Sequence, residues 1–178
     1  GLMPKEEMLE VKPYFKQLQI GIPKESSFQE NRVSLTPESV GLLVANGHSI
    51  IIEKDAGDAS SFSDAQYVEK GAKIVFSKEE VFKSNMILKI EPPTKSELGM
   101  MHTGQVLISA VQMSTQSSSY FNILNKKRIT AFGFEFIKDS QEKLPIVRSM
   151  SEIAGSTSLL IAAEYLSNIN NGKGLMLG

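Results

Sequence analysis

A handful of residues in this 178-residue sequence join a functional side chain to a position where one would be used. Arg32 closes a polar loop, KESSFQENR, that follows a short apolar run. A guanidinium clamps a carboxylate through two parallel hydrogen bonds; the alternative for Arg32 is an exposed side chain in a surface ion pair. Lys89 lies at the end of the apolar run NMILKI, just before Pro92-Pro93. Burying an ammonium is costly, so Lys89 is either a site residue at a strand end or an edge lysine reaching solvent. Glu91 comes two residues later, on the same face as Lys89 if the strand alternation continues. Gln112 comes directly after the run QVLISAV, at the end of the fifth strand, and faces the same crevice, although a lone Gln is ordinarily a loop hydrogen-bonder. Glu135 sits in the aromatic stretch AFGFEFI, where a carboxylate requires a partner, and a paired structural role is the better reading.

Several other chemistries are excluded. There is no Cys, hence no disulfide, thiolate metal site or Cys nucleophile. The two histidines, His48 at a helix-to-strand turn and His102 ahead of a strand, read as structural or surface residues, and no ligand constellation for a metal exists. GxGxxG, GxxxxGK[ST] and GxSxG are all missing, and Asp55-Ala56-Gly57-Asp58 is an ordinary turn. Nineteen basic against 20 acidic residues give a net charge of -1, which attracts neither nucleic acid nor an anionic membrane surface. No apolar run approaches the roughly 18 residues of a membrane span, and the charged start GLMPKEEMLEVKPYF has no secretory signal. The expected location is cytoplasmic.

The elements that must position these residues alternate along the chain. LQIGI (18–22) is a first strand. Thr36 caps a helix with Pro37 in its first position and Val40, Leu43 and Val44 on one face, and Asn46-Gly47 stops it. HSIIIEK follows as a β-branched strand, then a helix over AQYVEKG opened by Ser63. AKIVF, NMILKI, QVLISAV and RITAFGFEFI (128–137) read as four more strands, separated by helices over SKEEVFKS, TKSELGMM and SSSYFNILNKK. SEIAGSTSLLIAAEYLSNI, from Ser151, is the longest helical segment. Short strands alternating with helices predict an α/β fold with a mainly parallel sheet and helices on both faces. Ligands bind such sheets outside the carboxyl ends of the strands, so the loops of interest are 23–35, 53–63, 89–97, 111–119 and 137–151.

A longer pattern runs through the same residues. In order it contains G-I-P-K-E, N-R-V-x-L-T-P, G-H, A-G, F-S-D-A-x-Y, G-A-x-I, I-L-K-I, G-Q-V-L and M-S-E-I-A-G, across about residues 18–178. The series resembles the N-terminal domain shared by alanine dehydrogenases and the alpha subunit of proton-translocating nicotinamide nucleotide transhydrogenases. The resemblance implies a Rossmann-like (flavodoxin-like) domain over 18–149, preceded by an extension over 1–17. Residues 150–178 would hold the crossing helix and the start of a nucleotide-binding domain whose G-x-G-x-x-G strand lies past Gly178. NAD is the implied cofactor, held through that second domain, and this chain alone is expected to bind it weakly and to be inactive.

The family's substrate residues carry over one by one. Its carboxylate-clamping Arg falls on Arg32. Alanine dehydrogenases have K-V-K-E-P at the fourth strand end and bind substrate with the second Lys; here Lys89-Ile90-Glu91-Pro92-Pro93 puts Glu91 in that place. Their catalytic His falls on Gln112, which takes no proton at neutral pH. Met150 and Ser151 match residues near the nicotinamide and its phosphates. Arg32, Lys89 and Glu91 are thus the implied substrate contacts. The implied activity is oxidative deamination of an amino acid to a 2-oxo acid by an NAD(H)-dependent oxidoreductase, homo-oligomeric in its full-length form. Two alternatives stay open because of Glu91 and Gln112: the NAD(H)-binding module of a transhydrogenase, and a ligand-binding homologue with impaired catalysis.

Overall fold

In the computed structural model, residues 17–175 are described. All but the last residue of the expected extension over 1–17 lies outside them. Six short strands form the sheet: β1 (Gln19–Ile22), β2 (Ser49–Glu53), β3 (Lys73–Val75), β4 (Met86–Leu88), β5 (Val106–Ser109) and β6 (Thr130–Gly133). Their order is β3-β2-β1-β4-β5-β6 and all five pairings are parallel. This is the doubly wound Rossmann arrangement, in which the winding reverses between β1 and β4 and opens a crevice at their carboxyl ends.

Alternation along the strands sorts the core into layers. Ile20, Ile22, Ile50 and Ile52 pack with Val40 of α1 (Pro37–Ala45) and Tyr67 of α2 (Asp64–Glu69). On the opposite face Ile51 and Val75 meet Val81 of α3 (Lys78–Val81). There, too, Ile87 and Leu107 pack with Leu98 of α4 (Lys95–Met100) and with Tyr120 and Leu124 of α5 (Ser118–Lys126). The expected helices on both faces are present. Thr36 caps α1 through its side chain with Pro37 in the first turn, and Ser63 forms a reciprocal capping box with Gln66 at the start of α2.

Two segments depart from the expected boundaries. The stretch 128–137 is not one strand: β6 ends at Gly133, and Phe134–Phe136 turn into a single 3-10 turn. The final helix α6 runs Pro145–Leu166, starting six residues before Ser151. Its start follows from Pro145, whose fixed φ suits the first helical turn and which has no amide to leave unpaired.

One lysine closes a helix end. Lys127 Nζ donates to the carbonyls of Leu98 at 2.6 Å, Gly99 at 2.7 Å and Met101 at 2.6 Å, at the carboxyl end of α4. A cation satisfies orphan carbonyls there and complements the helix dipole. Lys127→Met, which keeps the stem and removes the donors, is expected to cost about 2–3 kcal/mol, readable as a lower urea midpoint at unchanged slope.

Candidate functional site

The loop after β1 carries Arg32 across the crevice and is fixed at several points. Lys24 donates its backbone N–H to Glu53 at 2.7 Å, Ser60 Oγ donates to Asn31 O at 2.6 Å, Ser34 Oγ to Leu88 O at 3.1 Å and Tyr67 Oη to Leu35 O at 2.8 Å. These bonds tie one polar loop to β2, β4 and α2, which a run of polar residues could not hold in place by itself.

Arg32, Glu91 and Gln112 come together at the ends of β1, β4 and β5. Arg32 Nε donates to Glu30 Oε1 at 2.8 Å and Nη2 to Glu30 Oε2 at 2.5 Å, so one edge of the guanidinium is filled from within the loop. Glu91 Oε1 lies 3.6 Å from the same Nη2. Gln112 Nε2 donates to Glu91 Oε2 at 3.0 Å. Hydrogen bonding to Arg32 holds the Glu30 carboxyl below its usual pKa, and the same pairing raises that of Arg32. Both therefore stay charged throughout the neutral range. The sequence did not single out Glu30 as the partner of Arg32; a carboxylate two residues before a candidate clamp was the available signal.

Gln112 is held in an unusual backbone conformation, with φ at 48°. Glu135 explains how: its Oε1 accepts the backbone N–H groups of Val111 at 2.8 Å and Gln112 at 2.9 Å. The 3-10 turn at 134–136 swings Glu135 inward to do this. Gly133 leaves the room, since a Cβ there would lie 2.9 Å from Glu135 Oε2 and 2.8 Å from the Phe136 ring. The paired structural role expected of Glu135 is observed, through a partner 23 residues away.

Lys89 is placed differently from Arg32, Glu91 and Gln112. Its side chain is 1% exposed and lies 3.3 Å from Glu25 and 3.2 Å from Glu97. β4 ends at Leu88, so alternation does not carry Lys89 and Glu91 to one face: Lys89 enters the layer under the crevice and Glu91 its wall. Around Lys89 the charges alternate. Lys78 Nζ donates to Glu97 Oε1 at 3.1 Å and sits 3.8 Å from Glu53, while Glu25 Oε1 accepts the Ile90 N–H at 2.6 Å and Glu97 Oε2 the Thr94 N–H at 2.8 Å. Burial raises the pKa of Glu25, with Lys89 acting against it. Burial also pushes on Glu97, but Lys89, the Thr94 amide and Lys78 outweigh it and hold that carboxyl below its ordinary value.

Beside Arg32 opens a cavity of about 700 Å³ between the 134–135 turn and α6, with Met150, Ser151, Ala154 and Thr157 in its wall. Met150 Sδ accepts from Arg32 Nη1 at 3.8 Å, which puts the start of α6 against Arg32. His48 and His102 lie away from this crevice: His48 Nδ1 accepts from the Leu18 N–H and His102 Nε2 lies 3.2 Å from Ser84 O, both at the amino ends of strands. Among the described residues no group of acidic and histidine side chains could hold a metal ion. None of their helices is long and apolar enough to cross a membrane.

Comparison with known proteins identifies relatives of this fold. The chain is 39% identical over 160 residues to the alanine dehydrogenase of Methanococcus maripaludis, covering 89% of this chain and 43% of that protein. It is 37% identical over 159 residues to the alanine dehydrogenase of Staphylococcus saprophyticus, again covering 89% and 43%. A solved L-alanine dehydrogenase superposes with a TM-score of 0.85 at 34% identity, over 90% of this chain and 44% of that one. A transhydrogenase from Sinorhizobium meliloti superposes with a TM-score of 0.63 at 25% identity, over 69% of this chain and 37% of that one. The chain thus spans less than half the length of the curated relatives it matches. The family described as "Alanine dehydrogenase/PNT, N-terminal domain" matches residues 21–154, and with the sheet order and the Arg32 crevice in place, the chain belongs to that family.

Proposed function

We propose that this chain is the substrate-side domain of an NAD(H)-linked oxidoreductase that converts an amino acid to a 2-oxo acid. The observation that carries the reading is Arg32, held at the switch point of a parallel sheet with its Nη1 turned toward Met150 and a cavity lined by the start of α6. Arg32 binds the substrate carboxylate on that edge. Gln112 takes no proton at neutral pH; it holds Glu91 at 3.0 Å, where the Glu91 carboxylate can receive the substrate amino group. Lys89 supports both from the layer beneath rather than by contact, being buried between Glu25 and Glu97.

The mostly apolar cavity beside Met150 and Ser151 fits the face of a nicotinamide, and these two residues would hold it there. The nucleotide, when bound, supplies the hydride acceptor; its phosphates need a further domain, since the sequence contains no GxGxxG. A cytoplasmic, homo-oligomeric protein fits this reading.

The test is an assay of NADH formation by the full gene product with L-alanine and other 2-amino acids. Turnover is expected, and Arg32→Lys, which loses the planar fork, should lower kcat/KM by about a hundredfold. No NADH with any amino acid overturns the proposal. A second reading, a transhydrogenase module passing hydride to another nucleotide, is favoured by Glu91 and Gln112 standing where the family's Lys and His stand. Hydride transfer from NADH to an NADP analogue without amino acid would establish it instead.

A further inference from the structure

Arg32 offers a ligand carboxylate only one edge. Nε and Nη2 are taken by Glu30, whose side chain is 8% exposed and cannot be displaced without burying an unpaired charge. The remaining edge runs from Nη1, which meets the weak acceptor Met150 Sδ at 3.8 Å, to Nη2, and Glu91 already stands 3.6 Å from that Nη2. Glu91 is itself tethered through Gln112 Nε2 at 3.0 Å, and Gln112 through its own backbone N–H and that of Val111, both donated to Glu135. One cation thus faces two carboxylates before any ligand arrives.

We propose that Glu91 makes this a site for zwitterionic 2-amino acids and against 2-oxo acids: a carboxylate binds Arg32 well only when the ligand brings an ammonium group to Glu91. The inference rests on the reading of Arg32 as the carboxylate clamp and names the ligand class of that clamp. A bare 2-oxo acid adds a third carboxylate to one guanidinium and lies against the Glu91 charge. A 2-amino acid carries its ammonium two bonds from its carboxyl carbon, near enough to sit between its own carboxylate and Glu91. Like charges at such distances cost affinity and opposite charges restore it. Gln112 Oε1 lies beside the pair and can accept a further ammonium N–H. With a lysine at position 91 the same edge would favour the oxo acid, so the sign of one side chain decides the preference.

The experiment is titration of the ¹⁵N-labelled 178-residue chain with matched pairs, L-alanine against pyruvate and L-glutamate against 2-oxoglutarate, following the Arg32 Nε–H and Gln112 side-chain amide signals. In each pair the amino acid should bind at least about tenfold more tightly than its oxo acid. Glu91→Gln should bring the members of a pair within about threefold, and Glu91→Lys should reverse their order. Equal or tighter binding of the oxo acids by the unaltered chain, or a ratio unmoved by Glu91→Gln, overturns the selectivity while leaving the clamp intact. If no carboxylate of either kind moves the Arg32 signal, the clamp reading itself fails and this proposal with it.

Discussion

Lys89→Met is expected to destabilise the protein by about 3–5 kcal/mol, because it leaves Glu25 buried without a cation and Glu97 with Lys78 alone. Glu25 and Glu97 approach Lys89 at 3.3 and 3.2 Å, and their side chains are 5% and 3% exposed. Methionine fills nearly the same volume, so little of the loss comes from packing. For a chain of this size the loss corresponds to a melting temperature lower by about 10 °C. The pH dependence identifies the cause. In the parent, the Glu25 pKa is raised above 4.5, so the burial of its charge costs nothing below that value and is felt as pH rises through the folded one. Glu97 has the opposite sign: lowered from 4.5, it stabilises above that value, and its contribution is lost as pH falls through the folded one. Without Lys89 both carboxyls lose an interaction that lowers them, so both move upward. Raised carboxyls stabilise only while protonated. The deficit of Lys89→Met should therefore be largest at pH 7–8 and shrink toward pH 4, as measured by urea titration at each pH. Neutralising the three most buried members, Glu25→Gln with Lys89→Met and Glu97→Gln, and leaving Lys78 to Glu53, should recover much of the loss at pH 7. A deficit that is the same at both pH values would mean that Lys89 acts through packing instead.

Gly21→Val is expected to prevent accumulation of the folded protein, and Gly21→Ala to cost about 3 kcal/mol. Gly21 lies in the central strand β1, hydrogen-bonded between β2 and β4. A Cβ there would sit 2.6 Å from Val81 O, 2.8 Å from Ser84 Oγ and 2.9 Å from Val81 Cγ1. Val81 and Ser84 are both fully buried, and the nearest atom is a backbone carbonyl, so no flexible side chain can yield. Adding a methyl to a strand glycine usually helps by about 0.5–1 kcal/mol through the unfolded chain; here the clash is larger and reverses the sign. Gly99 supplies the control. It lies within α4 with nothing within 4 Å of its would-be Cβ, so Gly99→Ala should raise stability by about 0.5–1 kcal/mol. Thermal melts of the two alanine variants should move in opposite directions; a Gly21→Ala variant as stable as the parent would mean that α3 can withdraw from β1 at little cost.

Much of the fold was legible because its signals are local. IGI and IIIE are β-branched runs ended by turn residues, Thr36-Pro37 and Ser63 are helix starts, and the alternation of the two element types requires parallel pairing. The boundaries that moved did so for particular reasons. Phe134–Phe136 has a strand's composition, but the two amides at Val111 and Gln112 need an acceptor, and turning Glu135 toward them breaks the strand. The run from Ser151 has the helical composition, but Pro145 marks the earlier start of α6.

The candidate site was legible in part. Arg32, Glu91 and Gln112 each follow a strand end in a parallel sheet, which places them along one edge whatever else the chain does. Their resemblance to a known motif series added roles. Neither source revealed Glu30 as the partner that fills one side of Arg32, nor the burial of Lys89.

By itself, then, the sequence determined the α/β class, the parallel order of elements, the sheet edge at which Arg32, Glu91 and Gln112 gather and the family. The tertiary structure decided which charges meet. Lys89 and Glu91 stand two positions apart, yet one is buried among carboxylates and the other faces Arg32, because β4 stops at Leu88 and the chain turns there. The physical reason is that periodicity reports the direction of a side chain within its own element. The value of a charge depends on its solvation and on neighbours brought from 60 or more residues away, such as Glu25 to Ile90, and only the folded chain supplies those.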